Sequence, residues 1–298
     1  MMWKAEAVVE ALGGEWHGAS GLAPCPVCQP QRRADQRGLS VGVGRNGTLL
    51  YCHKSGCSFN YIKTALEQIG LQPSDAGDLQ QLDAERKAKE HEQRDRARKL
   101  WKRAVPITGS PAEFYLRARG IKGPLPTSLR WTPRAFHMGF QQWFGAMVAN
   151  VSTGGVHRTY FDAAGARLAT DPKIMQGPCL GGAVTLRHGP GPLIVCEGIE
   201  TGLSLGVGHL RDIFGPGTIW ACLSTTLMQG VNLPPKAGHL IIAADGDKAG
   251  GAAADHLMLR AEQAGWTVEV KAAPITFDWN DVLCEKPYLE MATGTNQT

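Results

Sequence analysis

The sequence predicts an open α/β sheet in its last third. A mixed α+β segment precedes it, and a small cysteine-stapled ribbon stands at the N-terminus. Three observations carry this reading. Residues 192–201, P-L-I-V-C-E-G-I-E-T, run a short continuous apolar strand into an acid, a glycine and a second acid. Residues 239–247, H-L-I-I-A-A-D-G-D, repeat that design, with a buried strand ending in a carboxylate. Four of the eight cysteines crowd into positions 25–57 as two pairs around two strand-like runs.

The totals suit a globular chain of two or three domains. It has 298 residues, 43% hydrophobic and 19% charged, and a net charge of +4. So small a charge sets up no global positive field, and any nucleic-acid surface must be a local one. The first fourteen residues carry Lys4, Glu6 and Glu10 among apolar positions, an amphipathic helix rather than a signal peptide. No apolar run approaches the length of a membrane span. The expectation is a cytoplasmic protein with reduced thiols and no membrane partner.

Taken in order, residues 3–12 read as a helix stopped by Gly13-Gly14. Cys25-Pro26-Val27-Cys28 follows. Residues 39–43 and 48–51 read as a hairpin turning at Arg45-Asn46-Gly47, and Cys52 and Cys57 close the unit. Two thiolate pairs joined by a hairpin give the tetrahedral sulfur set that zinc favours. The predicted ligands are Cys25, Cys28, Cys52 and Cys57. The second arm, C-x-x-x-x-C, is wide, and His53 is a rival to Cys52. A redox C-x-x-C would not need the second pair. So small a zinc ribbon would draw much of its stability from the metal.

Residues 59–70 read as a helix packing under this ribbon, and 72–77 as a polar break. From 79 to 103 the chain is mostly charged. Glu85/Lys89, Glu90/Arg94, Glu92/Arg96 and Asp95/Lys99 are spaced i, i+4 with the acid first, which predicts a solvated helix bridging two domains. Residues 111–120 read as a helix, and 129–131, 145–151 and 155–161 as strands. Arg158 and Lys173 lie in this antiparallel stretch. The implied division is a zinc-binding domain at 1–71, a charged helical linker at 72–104, an α+β subdomain at 105–188 and the α/β domain at 189–298.

In that last domain, 193–196 is a strand, 199–208 a helix, 218–223 a strand, and 224–229 a short helix or loop. Residues 239–244 form a strand, 248–265 an Ala-rich helix and 267–271 the last strand. Glu197, Asp245 and Asp247 therefore stand at the carboxyl ends of two strands, where open α/β sheets bind ligands. Three such carboxylates repel one another unless a cation joins them, and Mg²⁺ suits oxygen donors. Gly198 and Gly246 let the backbone turn beside the acids. Asp278 caps a short final helix, and Asp281 either does the same or reaches the acidic site. No G-x-x-x-x-G-K-[ST] phosphate loop occurs, which argues against an ATPase motor.

These motifs resemble the toprim domain of primases, topoisomerases and some nucleases: Glu197 matches the lone Glu, Asp245 and Asp247 the D-x-D. The order of parts is similar to primases of the bacterial and phage type, particularly toprim primase-like proteins of phages and plasmids. H-R-T-Y-F-D at 157–162, E-G-I-E-T at 197–201, A-A-D-G-D-K-A-G at 243–250 and D-W-N-D at 278–281 carry that likeness. The resemblance implies a DNA-directed RNA polymerase of DNA replication, a nucleotidyltransferase. It would join ribonucleoside triphosphates into short primers on single-stranded DNA, beside a separate replicative helicase. It implies structural Zn²⁺, and catalytic Mg²⁺ or Mn²⁺ on Glu197, Asp245 and Asp247. Arg158, Lys173 and Lys248 are the expected nucleotide or template contacts, on a basic surface facing Glu197. Bacterial primases place an acid four residues after the toprim Glu, where this chain has Thr201; Glu200 is the expected substitute, with Asp281, for a second ion. The competing readings are a toprim nuclease on the same acids and a non-catalytic zinc-finger DNA-binding protein with a vestigial toprim.

Overall fold

The computed structural model describes residues 3–33, 35–44, 47–71 and 76–285; the side chains of 76–83, 85 and 86 lie outside that description. Two compact units divide the chain, 1–88 and 89–298. Among the described residues no helix is long and apolar enough to cross a membrane.

The first unit opens with α1 (Ala5–Ala11), which buries Ala5, Val8 and Val9. Four strands follow in sequential antiparallel order: β1 (Glu15–Trp16), β2 (Ser20–Ala23), β3 (Leu39–Gly44) and β4 (Gly47–Cys52). β1 and β2 are too short for their alternation to show in the sequence. β3 and β4 make the expected hairpin, with Leu39 opposite Cys52 and Gly44 opposite Gly47. Arg45 and Asn46 of the expected turn lie outside the described residues. α2 (Phe59–Gln68) starts at Ser58, whose hydroxyl accepts the Tyr61 N–H at 3.5 Å. It turns Ile62 and Leu66 into a core with Val8, Leu12 and Leu39.

α3 (Ala76–Arg103) runs through the sequence boundary between the units. Arg96 pairs with Glu92 at 2.6 Å, as its spacing predicts. Asp95 lies 3.6 Å from His91 instead of meeting Lys99, and the Glu85 side chain is outside the described residues. The charge pattern predicts a wholly solvated helix, but its end is not one. Ala97 and Leu100 are buried against Val148 and Val156. Two small or apolar positions among many charges leave too weak a period to read.

In the second unit β5 (Val105–Pro106) is followed by α4 (Pro111–Ala118). Ser110 caps α4 by accepting the Glu113 N–H at 3.3 Å, while the Glu113 carboxylate accepts the Gly109 N–H at 2.7 Å. β6 (Leu129–His137), β7 (Gln142–Asn150), β8 (Val156–Phe161) and β9 (Lys173–Gln176) complete a five-stranded antiparallel sheet in the order β5-β6-β7-β8-β9. β6 is three times its expected length. Its register shifts between Thr132 and Ala135, around Pro133, and that bulge hides the alternation. One face of this sheet meets α3; on the other, Met147, Ala149 and Phe161 join a core shared with the second sheet.

The second sheet contains β10 (Val184–Arg187), β11 (Leu193–Cys196), β12 (Thr218–Ala221), β13 (His239–Ala244) and β14 (Thr267–Ala272), in the order β10-β12-β11-β13-β14. Its pairs are parallel except that β10 joins β12 antiparallel at one edge, so the expected parallel sheet carries one antiparallel edge strand. The single helix expected at 199–208 is instead α5 (Ile199–Ser204) and α6 (Gly208–Phe214), separated where Gly208 takes a φ of +55°. α7 (Thr225–Gln229), α8 (Lys248–Gln263) and α9 (Trp279–Cys284) complete the unit. α8 lays Ala253, Ala254, Leu257 and Ala261 against Val195, Leu240 and Ile242 of the sheet.

Candidate metal centres and active site

In the first unit the four predicted cysteines meet. Cys25 and Cys28 lie on the turn after β2, Cys52 ends β4, and Cys57 precedes α2. Their sulfurs all lie within 4.8 Å of one another. Cys28 Sγ and Cys52 Sγ are 3.6 Å apart. Sulfurs around one zinc ion at ordinary Zn–S lengths would be about 3.8 Å apart, so the set suits a single ion. Burial pushes the Cys25 thiol up to about 12. Cys52 falls to about 6 despite its burial, because the backbone N–H groups of Ser55, Cys57 and Lys54 point at it. His53 is not in the cluster. Its Nε2 is 2.5 Å from Ser40 Oγ and its ring stands edge-on to Tyr51. The rivalry for the fourth ligand therefore ends with Cys52.

In the second unit β11 and β13 are neighbours, with Cys196 opposite Ala243. Their common end brings Glu197 and Asp245 to one rim. The residues after each strand are held there by backbone bonds: Leu223 N–H donates to Glu197 O at 2.7 Å, and Gly246 N–H to Phe277 O at 2.8 Å. The glycines act differently from the sequence expectation. Gly198 has an ordinary extended backbone (φ −94°), so no turn demands it. Gly246 is demanded by close approach, since a Cβ there would meet Pro274 O at 1.9 Å. That approach fastens the 273–277 loop to the rim and delivers α9. Trp279 Nε1 then donates to Ala244 O at 3.0 Å, at the end of β13.

The rim therefore holds Asp278, read only as a cap, and Asp281, expected as a candidate for a second ion, beside the three main acids. Asp245 is pushed up to about 7, first by burial and then by the charges of Asp278, Glu197, Asp247 and Asp281. Its Oδ1 is buried with no hydrogen-bond partner. Glu197 is raised by burial and then by Asp247, against the pull of Lys173 and a backbone N–H at Thr225. Asp247 caps α8, its Oδ1 accepting the Gly250 N–H at 2.6 Å. Among the described residues only the four cysteines bring three or more ligand atoms together within 4.8 Å. The carboxylates converge more loosely, as repulsion between them requires. An orphaned carboxylate oxygen amid further acids is a donor set that fits a hard divalent cation.

Asp278 and Asp281 build a capping box on α9. Asp278 Oδ1 accepts the N–H groups of Asn280 and Asp281, and Asp281 Oδ2 accepts that of Asp278 at 3.0 Å. Asp281, expected at a second ion, thus gives one oxygen to the fold. Buried Asn280 ties the same motif to two other helices, donating to Arg119 O at 2.8 Å and to Ser204 Oγ at 2.9 Å.

Glu200 departs from its expected place. Its Oε2 lies 3.2 Å from Lys173 Nζ, and its Oε1 accepts a hydrogen bond from Tyr115 OH at 3.2 Å. Both oxygens are engaged by the chain itself. Consecutive helical positions differ by about 100° around the axis, so an acid one residue early points to the antiparallel sheet. Burial pushes Glu200 up, but Lys173 outweighs it and holds the carboxyl below its ordinary range. Beside this pair His157 is buried, its Nδ1 without a partner. Burial, then the Lys173 charge, pushes it down to about 4, so it is neutral. Tyr115 reads as an ordinary core position, and His157, though it opens the H-R-T-Y-F-D run, reads with no role of its own.

The placement of Arg158 on the surface facing Glu197 is corrected. Neighbouring residues of a strand point to opposite faces. Thr159 pairs with Lys173, and both lie on the side of Glu200, whereas Arg158 turns to the α3 side. Its Nη1 donates to Phe136 O at 3.1 Å. Of the three expected basic contacts, Lys173 lies on the side of Glu200, and Lys248 is exposed at the start of α8.

Comparisons with known proteins follow this division of parts. Residues 192–287 match the family model described as Toprim domain, and 91–186 a domain of unknown function (DUF7146). The chain carries a toprim domain. No curated protein matches. Among solved structures, the zinc-binding and RNA polymerase domains of the Aquifex aeolicus primase align at 15% identity and a TM-score of 0.42, over 96% of this chain and 81% of that one. A Pseudomonas aeruginosa DNA primase domain aligns at 13% and 0.38, over 64% and 74%. The RNA polymerase domain of the Mycobacterium tuberculosis primase aligns at 15% and 0.35, over 61% and 65%. The resemblance to a toprim domain legible in the sequence is found again in the family match over 192–287.

Proposed function

We propose that this chain is a DNA primase, a nucleotidyltransferase that makes short RNA primers on single-stranded DNA from ribonucleoside triphosphates in phage or plasmid replication. The observation that carries the reading is the rim itself: Glu197, Asp245 and Asp247 at the ends of adjacent parallel strands, with Asp245 Oδ1 buried and unpartnered. In this reading those three hold Mg²⁺ or Mn²⁺, and Cys25, Cys28, Cys52 and Cys57 hold a structural Zn²⁺. A bound divalent ion supplies charge neutralisation on the triphosphate and acidifies the attacking 3′-hydroxyl. The chain's own part is to position. Lys173, held by Glu200, to which Tyr115 also donates, presents an ammonium beside Glu197 for phosphate oxygens. His157, neutral and buried, adds no competing charge there. Lys248, exposed beside the Asp247 cap, is the second phosphate contact, and a separate helicase supplies single-stranded template.

The test is synthesis from labelled ribonucleotides on a single-stranded template library, with Mg²⁺ or Mn²⁺, by wild type and Asp245→Asn. Metal-dependent products from the wild type alone are expected. Template cleavage in place of synthesis would favour a toprim nuclease. Binding with no turnover would favour a vestigial site.

A further inference from the structure

The face of the antiparallel sheet turned away from the acids carries a groove that the mechanism does not use. It has a volume of about 480 Å³ and lies between the last turns of α3 and strands β6–β9. Lys99, Lys102, Arg103, Arg134 and Arg158 line it together with Trp143. None of these five cations has an ion-pair partner among the described residues, and no acid lines the groove. Arg158 is the inner member. It is only 7% exposed, and its Nε is buried without a hydrogen-bond partner. A guanidinium whose Nε is left unsatisfied, among four cations without ion-pair partners, calls for an anionic oxygen. Trp143 is 54% exposed, and Arg134 lies over its ring at 4.8 Å. An exposed indole beside a row of cations is the arrangement that stacks a base while its phosphates are neutralised.

We propose that this groove binds single-stranded nucleic acid as a site separate from the acidic rim, with phosphates on Lys99, Lys102, Arg103 and Arg158 and a base on Trp143. The groove lies wholly within 91–186, so the proposal gives a role to the domain of unknown function. It rests on the primase reading only for the choice of probe. Because Arg158 and Lys173 project from opposite faces of one sheet, a strand in the groove is gripped away from the reacting centre. The groove would hold the strand while the rim turns over.

The test is fluorescence anisotropy of a labelled 25-nucleotide oligo-dT with the full zinc-loaded chain, without added magnesium or manganese, across about 50–200 mM salt. The double variant Lys102→Glu/Arg103→Glu should bind at least tenfold more weakly, with the log–log salt slope shallower by about 1.4, or 0.7 per lost phosphate contact. Trp143→Ala should weaken binding about tenfold with the slope unchanged. All three positions are exposed, so folding is not at stake. Lys236→Glu, an exposed charge change outside the groove, should cost little. The proposal is overturned if the wild type does not bind, if the groove variants bind like wild type, if Lys236→Glu costs as much, or if duplex DNA competes equally. Asp245→Asn should bind no more weakly than wild type, so a failed primase reading and a failed groove give different results.

Discussion

Replacing Lys173 by Ala removes the ammonium 3.2 Å from Glu200 Oε2 and leaves a carboxylate whose side chain is only 8% exposed. Breaking a buried pair on one side costs about 3–5 kcal/mol, because the surviving charge stays desolvated. Two features lower that figure here. Lys173 is itself 38% exposed, and Tyr115 continues to donate to Glu200. About 2–3 kcal/mol is therefore expected, roughly a 5–10 °C fall in the melting temperature of a unit this size. The pH dependence should also change sign. In the wild type the folded pKa of Glu200 is depressed, so its contribution is present above the unfolded pKa and lost as pH falls through the folded value. Without Lys173, burial dominates and lifts the folded pKa above the unfolded one. Stability is then lost as pH rises. The gap between variant and wild type should be widest near neutrality and narrow as pH falls below the unfolded pKa toward the folded one. Melting from pH 4 to 8 reads this directly, and Lys173→Met/Glu200→Gln should recover most of the loss. A single variant as stable as wild type at pH 7, with an unchanged pH slope, would refute the ion pair as the reason Glu200 is turned to the sheet.

Two further outcomes are expected. With no divalent metal, the folded Asp245 keeps its proton to about pH 7 where the unfolded chain loses it near 3.8, so stability should decline as pH rises between those values. Asp245→Asn should reduce that decline, leaving the part that Glu197 contributes, and, the site being partly open to solvent, melt at or above the wild type at pH 8. Added Mg²⁺ should then stabilise the wild type more than the variant. Equal slopes in calorimetry would remove the charge cluster from the account. Cys28→Ser should lose one equivalent of zinc by atomic absorption and open residues 1–71 to protease, with the melting of the second unit unchanged. A variant that retained its zinc would exclude the four-cysteine site.

The acids and the cysteines were legible because each rests on local chemistry. A short apolar run ending in Glu197 or Asp245 is a strand end wherever the strand lies. Cys25, Cys28, Cys52 and Cys57 need only a hairpin between them to meet. Gly246 was legible as a special position, but for the wrong reason: its constraint is Pro274 O, from a loop distant in sequence. On the 278–281 segment Asp278 reads as a cap and Asp281 as a cap or a member of the acidic site; both cap α9. Only the loop passing over Gly246 makes them also neighbours of Asp245.

The sequence by itself determined the order of the parts, the strand ends that carry carboxylates and the thiols that cluster, because those follow from periodicity, residue type and short spacing. The tertiary structure decided direction. It set β11 beside β13 and so joined Glu197 to Asp245. It put Lys173 where Glu200 points. It also separated Arg158 from Lys173, two cations in one antiparallel stretch, by the width of a sheet. Periodicity shows that neighbouring strand residues face opposite ways. Which face meets the acids and which meets α3 depends on what packs on each side, and that is settled by contacts between segments far apart in the chain.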